Sequence, residues 1–207
     1  MKQSILIFFG VMISFINCSC EIDESKKQTI LKNADKSISV NTGCIFNTKG
    51  IQKASGINMD FHYPCDWEVS NSNQIGVVKQ FGKDINNNSA VGASFEITKY
   101  SDIFTKSKIE EIRKKKVFEE TTIELGGTIV SSSTIDIKGY TGIQIISTKK
   151  TASNYSMKSL KTYLFCQNKV IGIQYFSAAT TTQLCQSLFE QKKNLFINLT
   201  TSMEILD

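Results

Sequence analysis

The sequence predicts an α+β fold: a mainly antiparallel sheet with helices packed on its faces, layered as a single-domain α/β/α sandwich. Three observations carry that reading. Apolar runs of period two recur in pairs joined by short turn signals, the pattern of hairpins and not of crossover units. Two stretches have helical period, one near the middle and one at the end. Composition, at 41% apolar and 21% charged over 207 residues, is that of a globular chain with a full core.

The best-defined strand is Ile57 to Cys65, where Ile57, Met59, Phe61 and Tyr63 alternate with Asn58, Asp60 and His62. It stops at Pro64, the only proline, which supplies no ladder donor and restricts the residue before it. Cys65 and Trp67, the only tryptophan, follow at once. Gly43 to Gln52 makes a hairpin with this strand across Lys53-Ala54-Ser55-Gly56. That loop pairs Gln52 with Ile57 and sets Cys44 opposite Cys65.

Gln74 to Phe81 reads as a strand and Gly82 to Ser89 as a turn. Ala90 to Tyr100 returns as a strand with Val91, Ala93, Phe95 and Ile97 on one face. Ser107-Lys108-Ile109-Glu110 has capping-box spacing and opens a helix to Glu119. Its thin apolar face of Ile109, Ile112 and Val117 predicts a helix lying on a sheet surface. After Gly126-Gly127, Thr128 to Ile137 and Tyr140 to Thr148 flank the hairpin turn Lys138-Gly139. Lys149 to Met157 reads as a loop. Leu160 to Phe165 and Val170 to Phe176 flank Gln167-Asn168-Lys169, a further hairpin. Thr180 to Leu199 closes the chain as a helix, with Leu184, Leu188, Leu195 and Leu199 on a stripe beside Phe189 and Phe196.

Residues 1–19 have the form of a signal peptide: Lys2, then an apolar run from Ile5 to Ile16 that is short for a bilayer span. Two endings fit. Ser19-Cys20 resembles the close of a bacterial lipobox, which makes Cys20 the lipidated residue, with Cys18 a poorer match. Cleavage after Ser19 instead leaves a secreted protein. Residues 20–39 are polar and form a tether behind the anchor, and residues 40–207 form the domain. The expected location is the cell envelope, periplasmic or surface-exposed. Cys44, Cys65, Cys166 and Cys185 then read as two disulfides. Cys44–Cys65 is the preferred pair. Cys166–Cys185 is the remainder, strained by the length of strand between them, so buried thiols are the other reading.

The corner Phe61-His62-Tyr63-Pro64-Cys65-Asp66-Trp67 resembles the opening of PsbP-like domains, in which an apolar strand runs into Tyr-Pro-x-x-Trp. The order of elements from Ile51 to Met203 is similar as well. The resemblance implies a sheet with helices on both sides. Its members include a photosystem II extrinsic subunit, a nuclear-transport factor that binds the GTPase Ran, and many bacterial lipoproteins. It implies docking on other macromolecules and supplies no shared catalytic residues.

The residues themselves add little chemistry. Asp60 and His62 form an i, i+2 pair that reads as a surface couple or as part of an acid–base or metal site. With one histidine in the chain and no CxxC, no metal or cofactor is expected. No Gly-x-Ser-x-Gly elbow is present, and Gly126-Gly127 has no phosphate-loop spacing. Arg113-Lys114-Lys115-Lys116 reads as a solvated helix face or a contact for anionic lipid. Phe61, Tyr63 and Trp67 read as core or as the lining of a pocket. A net charge of +5, spread among acids, does not suggest nucleic-acid binding. The expected function is a non-enzymatic envelope lipoprotein that docks on a protein partner. A small-molecule or lipid carrier with a pocket between sheet and helix is the alternative, and a hydrolase is third.

Overall fold

The computed structural model describes residues 43–206. The leader, Cys20 and the tether lie outside the described residues. Ten strands, two surface helices and a long terminal helix follow in the order β1 (Cys44–Asn47), β2 (Asn58–Tyr63), β3 (Glu68–Ser70), β4 (Val77–Asn86), β5 (Ser89–Lys99), α1 (Lys106–Lys114), α2 (Val117–Glu124), β6 (Thr128–Ile137), β7 (Tyr140–Lys150), β8 (Ser156–Cys166), β9 (Lys169–Ala179), α3 (Thr182–Ser202) and β10 (Glu204–Leu206). They build a seven-stranded sheet, ordered β3-β4-β5-β9-β8-β7-β6, and a three-stranded sheet, β1-β2-β10. Every pairing is antiparallel. The fold is α+β, with helices on both faces of the large sheet.

Side-chain alternation divides that sheet into two unlike faces. The first carries Phe81, Val91, Ala93, Phe95, Ile97, Leu160, Ile171, Ile173 and Tyr175, all buried. Against it α3 lays Leu188, Phe189, Phe196 and Leu199, and the small sheet lays Met59 and Phe61. Phe61 sits at the junction, its ring 4.9 Å from Phe81, 5.9 Å from Phe95 and 6.1 Å from Tyr175. The aromatic strand end is therefore core, with Trp67 buried in the same cluster and Tyr63 packed against it. The second face carries Ile143, Ile145, Tyr163, Phe165 and Val170, covered by Ile109 of α1 and Phe118 of α2. Phe118 stacks on Tyr163 at 4.0 Å.

Several sequence expectations are corrected by tertiary pairing. In the first hairpin, Cys44 stands opposite Tyr63 and Asn47 opposite Asp60, two residues from the expected register. A 3-10 turn over Gln52–Ala54 consumes residues that would otherwise extend β1. A slip of two keeps every side chain on its face. β4 runs on to Asn86, because β5 offers partners for Lys83 and Asp84, and the turn shrinks to Asn87-Asn88. Likewise β7 and β8 extend through Lys150 and from Ser156, cutting the predicted loop to residues 151–155. The first helix is capped by Thr105, which accepts from the Lys108 amide, and not by Ser107. It breaks at Lys116 (φ 50°), so the segment becomes two helices. In α3 the buried stripe uses Cys185, whereas Leu184 is exposed. β3 and β10 carry too few residues to announce themselves by period.

The hairpin disulfide forms: Cys44 and Cys65 are bonded, with Cα atoms 5.0 Å apart. It marks a domain that folds in an oxidising, exported compartment. The expected Cys166–Cys185 bond is absent, and both are buried thiols. Cys166 lies at the β8–β9 turn, opposite Lys169. Cys185 is held at the other end of β9, where the Ser177 hydroxyl donates to its carbonyl at 3.0 Å. Roughly 26 Å of strand separates the two positions, far beyond disulfide reach. The existing bond closes a separation of 21 residues, so Cys44→Ala with Cys65→Ala is expected to lower stability by about 3 kcal/mol. Urea denaturation of the oxidised protein and of the double variant checks this.

Candidate functional site

The two short helices cover only part of the second face. Towards the β4–β5 and β7–β8 turns the sheet is bare, and a cleft of about 910 Å3 lies there. Register explains its shape, because three same-face rows run across the strands. One row is Lys149–Met157–Ala178–Ala90–Asp84. The next is Ser147–Ser159–Phe176–Gly92–Gly82–Glu68. The third is Lys161–Gln174–Ser94–Gln80–Ser70.

The middle row dips into a trough at Gly82 and Gly92, which carry no side chains, beside the Phe176 ring. At Gly92 a Cβ would stand 2.6 Å from Cζ of Phe176, so only glycine lets that ring lie across the strand. The Ser147 and Ser159 hydroxyls, 3.2 Å apart, satisfy each other. In the third row Gln80, Ser94 and Gln174 are each at most 7% exposed. Their side chains make no hydrogen bond among the described residues, yet their polar atoms are not sealed from solvent. Buried amides and hydroxyls normally have partners. Here Gln80 and Ser94 face the cleft.

Charge is distributed unevenly along the cleft. At one end Lys149 is half-buried and meets no carboxylate within ion-pair distance among the described residues. Burial, and then the nearby Lys161, pull its ammonium below the ordinary lysine range. Lys161 is different, because Glu96 pairs with it at 2.6 Å, both side chains being about one-sixth exposed (17% and 16%). Burial is the largest influence on Lys161 and opposes its charge. Glu96 and Tyr163 together outweigh burial and hold its ammonium above the usual range. The Lys161 Nζ also lies 4.9 Å from the centre of the Tyr163 ring. Burial raises the phenols of Tyr163 and Tyr100. At the opposite end of the cleft stand Glu68 and Asp84, with Asp66 paired to Lys83 at 2.6 Å.

The residues singled out from sequence lie elsewhere. Asp60 and His62 are on the outer face of the small sheet. Asp60 accepts from Asn47 at 2.6 Å, and His62 lies within electrostatic reach of Glu204. Among the described residues no three His, Cys, Asp or Glu side chains are placed to hold a metal ion. Arg113 and Lys115 pair along their own segment with Glu110 and Glu111, each at 2.6 Å. Gly126-Gly127 is a turn, with Gly126 at φ +79°. Among the described residues no helix is long and apolar enough to cross a membrane. Sequence reasoning missed the cleft. Its one local signal was glycine inside strands, at Gly82 and Gly92.

No family model matches the sequence, and no curated protein matches it. Solved structures do. The chain is similar to the solution structure of cyanobacterial PsbP (CyanoP) from Synechocystis sp. PCC 6803, with a TM-score of 0.53 and 14% identity over 81% of this chain and 96% of that one. A Pseudomonas aeruginosa protein of unknown function aligns at TM-score 0.46 and 6% identity, over 72% of this chain and 92% of that one. A protein from Bacteroides thetaiotaomicron VPI-5482 aligns at 0.43 and 11%, over 72% and 45%. Identities this low speak to architecture alone. The first alignment spans most of both chains. The described domain has a PsbP-like fold.

Proposed function

We propose that this protein is a non-enzymatic binding module of the bacterial cell envelope, tethered by a lipid on Cys20, that takes its ligand in the uncovered cleft. The observation that carries this reading is the cleft of about 910 Å3 with Gln80 and Ser94 on its floor and no partners for their side chains among the described residues. Its volume is that of a ligand site. Core side chains fill the layers between sheet and helices, so the bare face supports binding better than a pocket between sheet and helix does. The most strongly perturbed groups, Tyr175 in the core under α3 and Lys161 with Tyr163 beside α2, do not line the cleft, which favours binding over catalysis there. With Arg113 and Lys115 already paired, the basic run lends less support to lipid contact than the cleft lends to ligand binding.

A photo-crosslinking residue at Ser153, on the cleft rim, should give a specific adduct in the native envelope. The same probe at Ser133, on exposed β6, should give none. Equal labelling from both positions, or none from Ser153, would sink the assignment. For the anchor, metabolic labelling with a fatty-acid analogue should mark the wild type and not Cys20→Ala. Labelling of both would remove Cys20 as the lipidated residue.

A further inference from the structure

We propose that the cleft receives an extended peptide lying across the strands, with its terminal carboxylate at Lys149 and its N-terminal part against Glu68 and Asp84. This deepens the cleft reading and rests on it. The two ends of the cleft carry opposite charge, and their placement follows from register. Lys149 and Asp84 are the two ends of a single row that crosses five strands. Four strand spacings of about 4.8 Å put them roughly 19 Å apart, the span of about six residues of extended chain.

Each other feature restricts the ligand further. Lys149 has no carboxylate paired with it among the described residues, and its charge is disfavoured where it stands, so an incoming anion relieves a cost already present. Lys161 cannot take that role, because Glu96 already neutralises it. A ligand negative along its whole length, such as a polyphosphate, is repelled at Glu68 and Asp84. An ion too short to span the trough leaves Gln80 and Ser94 unanswered. These two offer donors and acceptors about one row from the trough, roughly 7 Å along the strands, which suits the backbone amides of a chain lying between the rows. Phe176 supplies an apolar platform in the middle. Amides along the length, one negative end and one neutral or positive end together describe a peptide with a free C-terminus.

The test uses the purified chain and two pooled hexapeptide libraries of random sequence, one with free C-terminal carboxylates and one C-terminally amidated. Mass spectrometry identifies the retained peptides, and backbone amide shifts locate them. Retained peptides should be free acids that shift Lys149, Phe176 and Ser94, with amidation weakening binding about tenfold, equivalent to 1.4 kcal/mol. Lys149→Met should lose the same factor and stop distinguishing acid from amide. Glu68→Gln with Asp84→Asn should instead weaken peptides with a free or basic N-terminal end. Lys149 is half-buried and Glu68 and Asp84 are exposed, and unaltered melting of both variants would show that folding is intact. Equal retention of acids and amides by the wild type, or shifts confined to other surfaces, would overturn the proposal. In a parallel arm, octanoate or a neutral cello-oligosaccharide that shifts the cleft while no peptide does would reject the peptide and keep the cleft. A lack of crosslinking from Ser153 in the native envelope would reject the cleft itself.

Discussion

Replacing Phe61 by alanine is expected to destabilise the domain by about 4 kcal/mol, in the usual range for truncating a buried phenylalanine. Three rings, Phe81, Phe95 and Tyr175, lie within 6.1 Å of its centroid, and it is fully buried. It joins the small sheet to the large one, so the void cannot close without moving one layer against the other. Phe61→Leu, which keeps most of the volume, should lose far less. Urea unfolding of both variants decides this. A loss below about 1 kcal/mol for alanine would mean that the layers are not locked here.

Removing Glu96 should cost nearly as much. Glu96→Ala leaves the Lys161 ammonium in its shielded site without its carboxylate, a situation that costs about 3–5 kcal/mol in buried pairs. Partial exposure of both partners argues for the lower figure, about 3 kcal/mol. The double change Glu96→Leu with Lys161→Met should recover most of the loss, because two desolvated charges vanish together. The floor beneath is equally tight: a Cβ at Gly172 would collide with the Glu96 carboxyl group. Gly172→Ala should therefore displace Glu96 and reproduce part of the same loss. If Glu96→Ala and the double variant unfold alike, the pair adds nothing to stability and its role lies elsewhere.

The contrast between fold and site shows what a linear reading reaches. β5 and the β6–β7 hairpin are legible because their instructions are local. Val91, Ala93, Phe95 and Ile97 alternate, and Lys138-Gly139 provides the two left-handed residues that the tight turn requires (φ 51° and 85°). The Cys44–Cys65 bond was legible despite a register error, since a shift of two preserves the face. Elements decided by distant partners were not. Gly82 to Asn86 carries turn-forming residues, yet β5 draws Gly82 to Asp84 into its ladder. Lys149 has the local sequence of a loop and belongs to β7, where pairing with Met157 brings it to the cleft.

The cleft itself could not be read along the chain. Its rows come from β4, β5, β9, β8 and β7, and that order exists only after long-range pairing. Neither Ser94 nor Gln80 is unusual in a strand. What makes them notable is that each points to the part of the second face that no helix covers. The same holds for Glu96 and Lys161, 65 positions apart in number and joined only because β9 lies between their strands. Conversely, His62 drew notice by being the only histidine and lies on the outer face of the small sheet, apart from the cleft.

The central claim is that the bare part of the second face is where this protein meets its ligand. Hydrogen–deuterium exchange of the purified chain, with and without a detergent extract of its native envelope, tests that over the whole surface at once. Ligand binding should slow exchange in residues 80–94, 149–157 and 174–178, and leave β6 and the outward side of α3 unchanged. Protection confined to β6 or α3, with those three segments unaffected, would contradict it.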